Sequence, residues 1–231
     1  YGVLKVAAQS GRPWRTAYSV HSPFVRELSA TMSDDKGNLK PGLLQRLRLA
    51  MVQRIERRIY RGSDVIQCDS SFTRGVVSKD YPDEVSGKLK VVPGWVDLNT
   101  FKPARRRNQL RVGLGEPWNE EGPIFLSVRR LERRMGLDRL IEACAALRRE
   151  GYDFQVLLGG DGTLRGELEA MVKRLDLPNC VRFLGRIPEQ DLATVYAAAD
   201  CFVLPTLALE CFGLIVLEAH IAAVGGVAHL L

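Results

Sequence analysis

The sequence predicts an α/β protein with parallel sheets, divided into two domains. Beyond residue 122, short apolar runs alternate with segments of helical length, a pattern typical of right-handed βαβ units. Residues 102–122 are rich in Pro, Gly and Arg, a composition typical of a connector. A chain of 231 residues holds one large or two small domains. We therefore expect a first domain at 1–106 and a second at 107–231.

The composition is that of a soluble globular protein with a basic excess. Apolar residues make up 46% and charged residues 26% of the chain, and the formal net charge is +6. This excess favours anionic ligands, namely phosphates, nucleic acids or acidic head groups, without selecting among them. The cysteines show no metal-ligand spacing, which favours reduced thiols. We find no secretory signal and no apolar run of about 18 residues, so we expect a cytoplasmic protein without a bound metal.

In the first domain, the β-rich run Thr16–Val20 predicts a strand that ends beside His21. Residues 41–61 predict a helix, ended by Gly62, with an apolar stripe and many arginines off the stripe. The stripe consists of Leu44, Leu47, Met51, Ile55 and Ile59, and the arginines are Arg46, Arg48, Arg54, Arg57, Arg58 and Arg61. We favour a stripe that packs on the domain beneath a charged solvent face. The alternative is that this basic helix docks on an anionic membrane.

The second domain contains the regular alternation of strands and helices. The predicted strands are Ile124–Val128, Phe154–Leu158, Val181–Leu184 and Cys201–Leu204, and helices follow them at 137–150, 164–175 and 189–198 and after Gly213. Parallel sheets of this kind bind ligands at the carboxyl ends of their strands. The loops at 127–135, 159–162, 185–188 and 205–213 therefore form the expected ligand-binding edge.

The segment Glu210–Glu218, ECFGLIVLE, is the most informative motif. It places two carboxylates in an otherwise apolar run around a helix start, and carboxylates are rarely buried without partners. A helix N-terminus offers N–H groups that bind phosphate oxygens, and Gly213 permits close approach of a ligand. Carboxylates on either side of a bound diphosphate could accept hydrogen bonds from sugar and ribose hydroxyls. Two solvated surface carboxylates, or a glycosidase acid/base pair, are alternative interpretations.

Five motifs in a fixed order resemble the GT-B-fold retaining glycosyltransferases of the group 1 (family 4) type. They are VVPGWVDLNTFKP (Val91–Pro103), FLSVRRLERRMGLDRLIEA (Phe125–Ala143), GGDGTLRGELE (Gly159–Glu169), VRFLGRIPEQDLATVYAAADCFVLP (Val181–Pro205) and ECFGLIVLE. The resemblance extends from Thr16 to Glu218. It implies a GT-B-like architecture of two Rossmann-like domains, in which the second holds most of a nucleotide-sugar donor.

The resemblance implies specific roles for the ECFGLIVLE motif. Glu210 would hold the transferred sugar at the catalytic centre, and Glu218 would hold the ribose of the donor. The residues that would donate backbone N–H groups to the diphosphate are Phe212, Gly213 and Leu214.

The resemblance also implies a cationic pair for the diphosphate, and here the chain departs from the family. Arg130 matches the arginine of that pair. The lysine that the family places five positions later is Met135 in this chain, and a methionine supplies no charge. Arg133 or Arg134 would have to reach the diphosphate instead. An arginine is not equivalent to a lysine there, because its charge is spread over a planar group and is not a point charge. A solvated arginine loop is the alternative interpretation.

Further residues enter the expected site through the same resemblance. His21 would face the transferred sugar, where a neutral imidazole can hydrogen-bond a hydroxyl or accept a proton; a structural histidine is the alternative. Gly160 and Gly162 would line the donor site, although their turn has neither the dinucleotide-binding glycine pattern nor a P-loop lysine. Ile187 would lie near the nucleotide base.

Both ends of the sequence depart from the family. Nothing before Tyr1 supplies the strand and Gly-rich loop with which the family's N-terminal domain opens. The stretch after Glu218 is shorter than the family's usual helix, turn and strand. We therefore expect an incomplete N-terminal domain and a truncated C-terminal end; the alternative is that the sequence lacks pieces of a longer chain.

The leading functional hypothesis is a retaining, metal-independent hexosyl glycosyltransferase without a cofactor. It would move a hexose from a UDP- or GDP-linked donor to a hydroxyl acceptor on a glycan, a lipid or a small molecule. A second hypothesis, suggested by Met135, is a degenerate non-catalytic protein that binds a nucleotide-sugar or a partner. A third is an unrelated βαβ sugar-phosphate enzyme such as an epimerase.

Nucleic-acid binding is not expected, because aromatic residues do not interleave with the basic ones. If the basic helix 41–61 docks, the location would be the inner face of the membrane.

Overall fold

The computed structural model describes residues 15–32, 42–102, 107–116, 122–222 and 226–229. The chain divides into two compact units. The first comprises Tyr1–Gly94 and Leu209–Phe212, and the second comprises Trp95–Ala208 and Gly213–Leu231. This division, after Gly94, differs from the predicted boundary at residue 106. The physical reason is that Phe101 packs in the core of the second unit, with its ring centroid 6.1 Å from that of Tyr196.

The first unit is built on a three-stranded parallel sheet in the order β1-β2-β3. Its elements are β1 (Ala17–Val20), α1 (Phe24–Thr31), α2 (Leu43–Gly62), β2 (Val65–Cys68), α3 (Ser71–Asp80), α4 (Pro82–Val85) and β3 (Leu89–Val91). Ser70 caps α3 by accepting the Thr73 N–H at 3.0 Å, as the Ser and Thr residues in that segment predict. The strand predicted at Thr16–Val20 is therefore present as β1, in parallel register with β2.

A buried carboxylate organises the core of the first unit. Glu56 of α2 accepts the Tyr81 hydroxyl at 2.5 Å and the Phe24 N–H at 2.7 Å. Tyr81 and Tyr60 meet edge to face, with ring centroids 4.9 Å apart. Because each carboxylate oxygen of Glu56 accepts a hydrogen bond from a neutral donor, its burial in an aromatic cluster is tolerated.

The face that α2 buries differs from the predicted one. The residues that α2 buries are Val52, Glu56 and Tyr60, whereas Leu44 is 81%, Leu47 60% and Met51 58% exposed. The prediction of a packed stripe is therefore wrong for Leu44, Leu47 and Met51, whereas Ile59 packs partly against the core of the first unit. The helix is turned by about one residue, or 100°, because the hydrogen bonds of Glu56 and the packing of Tyr60 select the neighbouring face.

The second unit is a five-stranded parallel sheet in the order β6-β5-β4-β7-β8. Its elements are α5 (Arg107–Leu114), β4 (Ile124–Val128), a 3-10 turn (Arg133–Met135), α6 (Leu137–Arg149), β5 (Gln155–Gly159), α7 (Arg165–Arg174), β6 (Val181–Gly185), α8 (Glu189–Ala198), β7 (Cys201–Leu204), α9 (Leu214–Ile221) and β8 (Gly226–His229). The sheet has a buried core on both faces. Residues of α6 and α7 line one core, and residues of α5, α8 and α9 line the other. The predicted α/β class with parallel sheets is thereby confirmed.

The connector helix α5 is fixed to the second unit by a buried arginine. Arg111 donates from Nε to the Ala198 carbonyl at 2.9 Å and forms an ion pair with Asp200. The same Asp200 carboxylate accepts the Ile124 N–H at 2.7 Å, at the start of the central strand β4. This charge-assisted network holds α5 against the sheet at the amino-terminal ends of its strands.

Candidate functional site

The loop after β4 and the loop after β5 are hydrogen-bonded to each other at the carboxyl edge of the second sheet. The Arg129 N–H donates to the Gly159 carbonyl at 2.9 Å, and the Leu131 N–H donates to the Asp161 carbonyl at 3.0 Å. Gly160 has a φ of +121°, and a Cβ there would lie 1.9 Å from the Arg129 carbonyl oxygen. A Cβ on Gly162 would lie 2.5 Å from the Leu131 carbonyl oxygen. Both predicted donor-site glycines are therefore required by backbone packing, whereas their contact with a donor stays a prediction.

A third loop, which follows β7, packs against the first of these. The Leu207 N–H donates to the Arg134 carbonyl at 3.0 Å, and a Cβ on Gly136 would lie 1.9 Å from the Pro205 carbonyl oxygen. The loops after β4, β5 and β7 therefore form one locked surface at the edge where parallel sheets bind ligands.

The arginine loop after β4 presents its side chains in different environments. Arg130 is exposed, while Arg133 and Arg134 are half-buried in the 3-10 turn. One Arg133 nitrogen lies 3.6 Å from a carboxylate oxygen of Glu167 in α7. The Met135 side chain is buried. The three predicted arginines thus lie together on the carboxyl edge, and the uncharged Met135 points inward.

Sequence reasoning missed Arg129, which lies between β4 and Arg130. Its Nη2 donates to Thr206 Oγ1 at 2.8 Å and lies 2.9 Å from the sulfur of Met135. The sequence signal was the first of two adjacent arginines after a buried strand, but the spacing could not show which one turns toward the β7 loop.

Helix α9 begins where the sequence predicts, directly after Gly213. Gly213 is in the left-handed region, with a φ of +70°, a conformation that glycine adopts without strain. The Val216 N–H donates a hydrogen bond to the Gly213 carbonyl at 2.8 Å, and Leu214 at the helix start is exposed. The first N–H groups of this helix therefore open at the carboxyl edge of β7.

Glu218 lies one turn into α9 and is half-buried. Burial raises the pKa of Glu218, the hydrogen bond from Tyr196 acts against that rise, and the nearby charge of Glu189 adds to it. The Tyr196 hydroxyl donates to Glu218 Oε2 at 3.1 Å. Burial, followed by the charge of Glu218, raises the pKa of Tyr196, and the positive charge of Arg129 opposes that rise. Arg129, Tyr196 and Glu218 therefore interact electrostatically within the second unit.

Two predicted catalytic residues lie in the first unit. His21 is exposed after β1, with Nε2 3.5 Å from Ser19 Oγ. Glu210 belongs to the Leu209–Phe212 segment and is half-buried. Burial raises the pKa of the adjacent Cys211 thiol, and the hydroxyls of Thr73 and Ser22 act against that rise. Cys211, which follows Glu210, thus lies beside Ser22, which follows His21.

Ile187 follows β6 and packs toward the sheet. It is partly buried against the core, and its Cδ1 would lie 2.5 Å from a Cβ on Gly159. Gly159 therefore leaves the space that Ile187 fills. Its predicted position near a nucleotide base stays a prediction, and so does the donor contact of Phe212, which lies in the first unit.

Neither a metal-ligand cluster nor a membrane-spanning helix is found among the residues that the structure describes. Within those residues, no three His, Cys, Asp or Glu side chains are grouped so that they could hold a metal ion. In the same ranges, no helix combines the length and the apolar character needed to cross a bilayer. The five cysteines are free thiols.

The fold is that of the GT-B glycosyltransferases. Sucrose-phosphate synthase from Thermosynechococcus elongatus matches with a TM-score of 0.73 at 23% identity, covering 99% of this chain and 53% of that one. HepE of Anabaena, solved in complex with UDP and glucose, matches with a TM-score of 0.72 at 21% identity, covering 93% and 52%. At these identities the comparison establishes the fold.

The sequence comparisons establish the family. Residues 115–228 match the model of the glycosyl transferases group 1. The GDP-mannose-dependent alpha-(1-6)-phosphatidylinositol monomannoside mannosyltransferase of Mycolicibacterium smegmatis is 33% identical over 181 residues, which are 74% of this chain and 46% of that protein. The D-inositol 3-phosphate glycosyltransferase of Kineococcus radiotolerans is 38% identical over 155 residues, covering 60% and 35%. The chain belongs to the glycosyl transferases group 1, and it spans less than half the length of these relatives.

Proposed function

We propose that the protein is a retaining, metal-independent glycosyltransferase that moves a hexose from a nucleoside diphosphate sugar to a hydroxyl acceptor. The observation that carries this proposal is the geometry of α9. The helix opens at the carboxyl edge directly after Gly213, and the half-buried Glu218 follows one turn later. At 1.5 Å per residue, Glu218 lies about 7.5 Å along the axis from Gly213. That spacing suits a diphosphate at the helix start and a ribose deeper along the helix.

In this proposal, the second unit holds the donor. The N–H groups of Gly213 and Leu214 and the helix dipole bind the diphosphate, with Arg130 and its neighbours Arg133 and Arg134 adding positive charge. Glu218 accepts the ribose hydroxyls. A carboxylate has about four acceptor sites, so the hydrogen bond from Tyr196 orients Glu218 without exhausting its capacity.

Catalysis would depend on stabilising the leaving group more than on a nucleophile. As the bond between the sugar and the diphosphate breaks, negative charge grows on the diphosphate, and the arginine loop and the α9 N-terminus stabilise that charge. Retention follows if the acceptor hydroxyl attacks from the face that the diphosphate leaves. His21 and Glu210 would orient the transferred sugar, with the His21 imidazole able to accept a proton.

The donor class is supported by the relatives. The Mycolicibacterium smegmatis relative is named for its dependence on GDP-mannose, and HepE is solved with UDP and glucose and with UDP-glucose. We therefore propose a hexose donor linked to GDP or UDP. The acceptor would be a hydroxyl group on a glycan, a lipid or a small molecule.

Isothermal titration of the protein with UDP and with GDP tests this function. We expect saturable binding of one or both, and we expect Glu218→Gln to weaken it about tenfold or more, because one charged hydrogen-bond acceptor is lost. Glu150→Gln, at an exposed position after α6, is the matched control and should bind like the wild type. The proposal fails if neither nucleotide binds.

A transfer assay separates an enzyme from a non-catalytic binding protein. With UDP-glucose or GDP-mannose as donor, we expect slow donor hydrolysis or transfer that Glu210→Ala suppresses, and an NMR assignment of the product anomer tests retention. Nucleotide binding without turnover, unaffected by Glu210→Ala, would instead support the degenerate binding protein.

We also propose that α2 contacts the anionic inner face of a membrane. The support is its exposed apolar stripe, which includes Leu44, Leu47 and Met51. Exposed arginines flank that stripe at positions 46, 48, 54, 57, 58 and 61. An amphipathic helix with apolar and basic faces turned to solvent suits the head-group region of an anionic bilayer.

A further inference from the structure

We propose that Arg129 provides the second positive charge for the donor diphosphate, in place of the charge that Met135 lacks. This inference rests on the proposed function, since it concerns the same donor site. It identifies a binding residue that the sequence motifs did not indicate.

The guanidinium of Arg129 occupies the place at which a cation at position 135 would act. Its Nη2 lies 2.9 Å from the Met135 sulfur, so the charged group of one residue and the side-chain tip of the other meet. The Met135 side chain is 4% and Thr206 is 6% exposed. The guanidinium is therefore held where solvent screening is weak and a charge acts strongly.

The backbone of Arg129 is fixed at the edge of the sheet. Its N–H donates to the Gly159 carbonyl at 2.9 Å, and its own carbonyl packs against Gly160 so closely that a Cβ would lie 1.9 Å away. At the other end of the side chain, Thr206 Oγ1 accepts from Nη2 at 2.8 Å. A side chain that is positioned at both ends loses little conformational entropy when it binds an anion.

The charge of Arg129 acts on the part of the site that contains Glu218. It opposes the burial-driven rise in the pKa of Tyr196, and the Tyr196 hydroxyl donates to Glu218 at 3.1 Å. A donor with its ribose on Glu218 would place its diphosphate on the Arg129 side. The guanidinium carries five N–H donors in a planar fork suited to phosphate oxygens.

The other candidates for this charge are less well placed. Arg133 lies 3.6 Å from the carboxylate of Glu167, which draws its guanidinium toward α7. Arg134 contributes its backbone carbonyl to the Leu207 N–H. Arg129 bonds through its guanidinium to Thr206, in the loop leading from β7 toward α9.

A charge-swap experiment tests the role of Arg129. We expect Arg129→Met to weaken binding of UDP or GDP, whichever the wild type binds, by about tenfold or more, the effect of losing a charged hydrogen bond. Binding of the matching nucleoside, uridine or guanosine, should not change. In the Arg129→Met background, Met135→Lys should restore most of the lost nucleotide affinity. Arg174→Met, at an exposed position in the last turn of α7, is the matched control.

The outcomes distinguish this inference from the proposed function. If Arg129→Met binds the nucleotide like the wild type while Glu218→Gln weakens binding, the donor site stands and the inference is overturned. If the wild type binds neither UDP nor GDP, the proposed function fails first. If Arg129→Met does not fold, Arg129→Gln serves instead, because it retains N–H donors for Thr206 without the charge; wild-type affinity in that variant also overturns the inference.

Discussion

Glu218 combines a stability penalty with the binding role that we propose for it. Burial raises its pKa above the ordinary value of 4.5, so ionisation of this carboxyl group is less favourable in the folded than in the unfolded protein. Such a group contributes most to stability below its unfolded pKa, and that contribution is lost as the pH rises through the folded pKa. Ionisation of this carboxyl group therefore opposes folding, as is common at binding sites.

This sign gives a pH-dependent prediction for Glu218→Gln. The neutral amide keeps an oxygen for the Tyr196 hydroxyl and removes the unfavourable ionisation, so we expect the variant to melt at a higher temperature than the wild type at pH 7. The difference should shrink as the pH falls to about 4, where the wild-type carboxyl group is largely protonated. Thermal melts by circular dichroism at both pH values measure it. A variant that is less stable at pH 7 would show that the carboxylate is net stabilising.

Gly160 gives a second prediction at the scale of one residue. Gly160→Ala places a methyl group in collision with the Arg129 carbonyl at a φ of +121°, and we expect it to lower the free energy of unfolding by about 2 kcal/mol or more. Gly166→Ala is the matched control, because no atom lies within 4 Å of the added Cβ and the residue is helical. It should stabilise by about 0.5–1 kcal/mol. Denaturant titration measures both, and equal effects would contradict the packing argument.

At the scale of the element, α2 shows how one helix can separate a packed face from an exposed apolar one. Val52, Glu56 and Tyr60 face the protein, while the stripe that contains Leu47 and Met51 faces outward. The two faces lie side by side on the helix, since neighbouring residues are about 100° apart. Substitutions on the two faces should therefore have different effects.

The α2 prediction compares adjacent positions. We expect Leu47→Ser combined with Met51→Ser to leave the melting temperature nearly unchanged and to reduce co-sedimentation with vesicles that contain phosphatidylglycerol. Val52→Ala should instead lower the free energy of unfolding by about 1–2 kcal/mol, with vesicle binding retained in the folded fraction. Vesicles of phosphatidylcholine alone provide the uncharged control. Equal sedimentation of the wild type and the double variant with anionic vesicles would contradict membrane docking.

At the scale of the whole molecule, the sequence predicted the architecture better than the orientation of its side chains. The strand and helix alternation after residue 122 is confirmed, because each strand is an apolar run with clear boundaries. The prediction of the buried face of α2 was wrong, because that face is selected by the hydrogen bonds that Glu56 accepts from Tyr81 and Phe24, which are distant in sequence. No local pattern could show them.

The candidate site was predictable only where a motif fixes the backbone. Gly213 marks the start of α9, and the helix begins at Leu214 as predicted. The turn of Arg129 toward Thr206, in contrast, depends on a contact between residues far apart in sequence. The division of the chain after Gly94 likewise depends on the packing of Phe101 against Tyr196.

The allocation of Leu209–Phe212 to the first unit affects how hybrid enzymes would have to be spliced. A chimera that joins the second unit of one homologue to the first unit of another cannot use a single crossover at Gly94. The short ECF-containing segment would have to be taken from the parent that supplies the first unit, because Cys211 is buried beside Thr73 and Ser22. Grafts that respect this interruption should express in soluble form more often than grafts that ignore it.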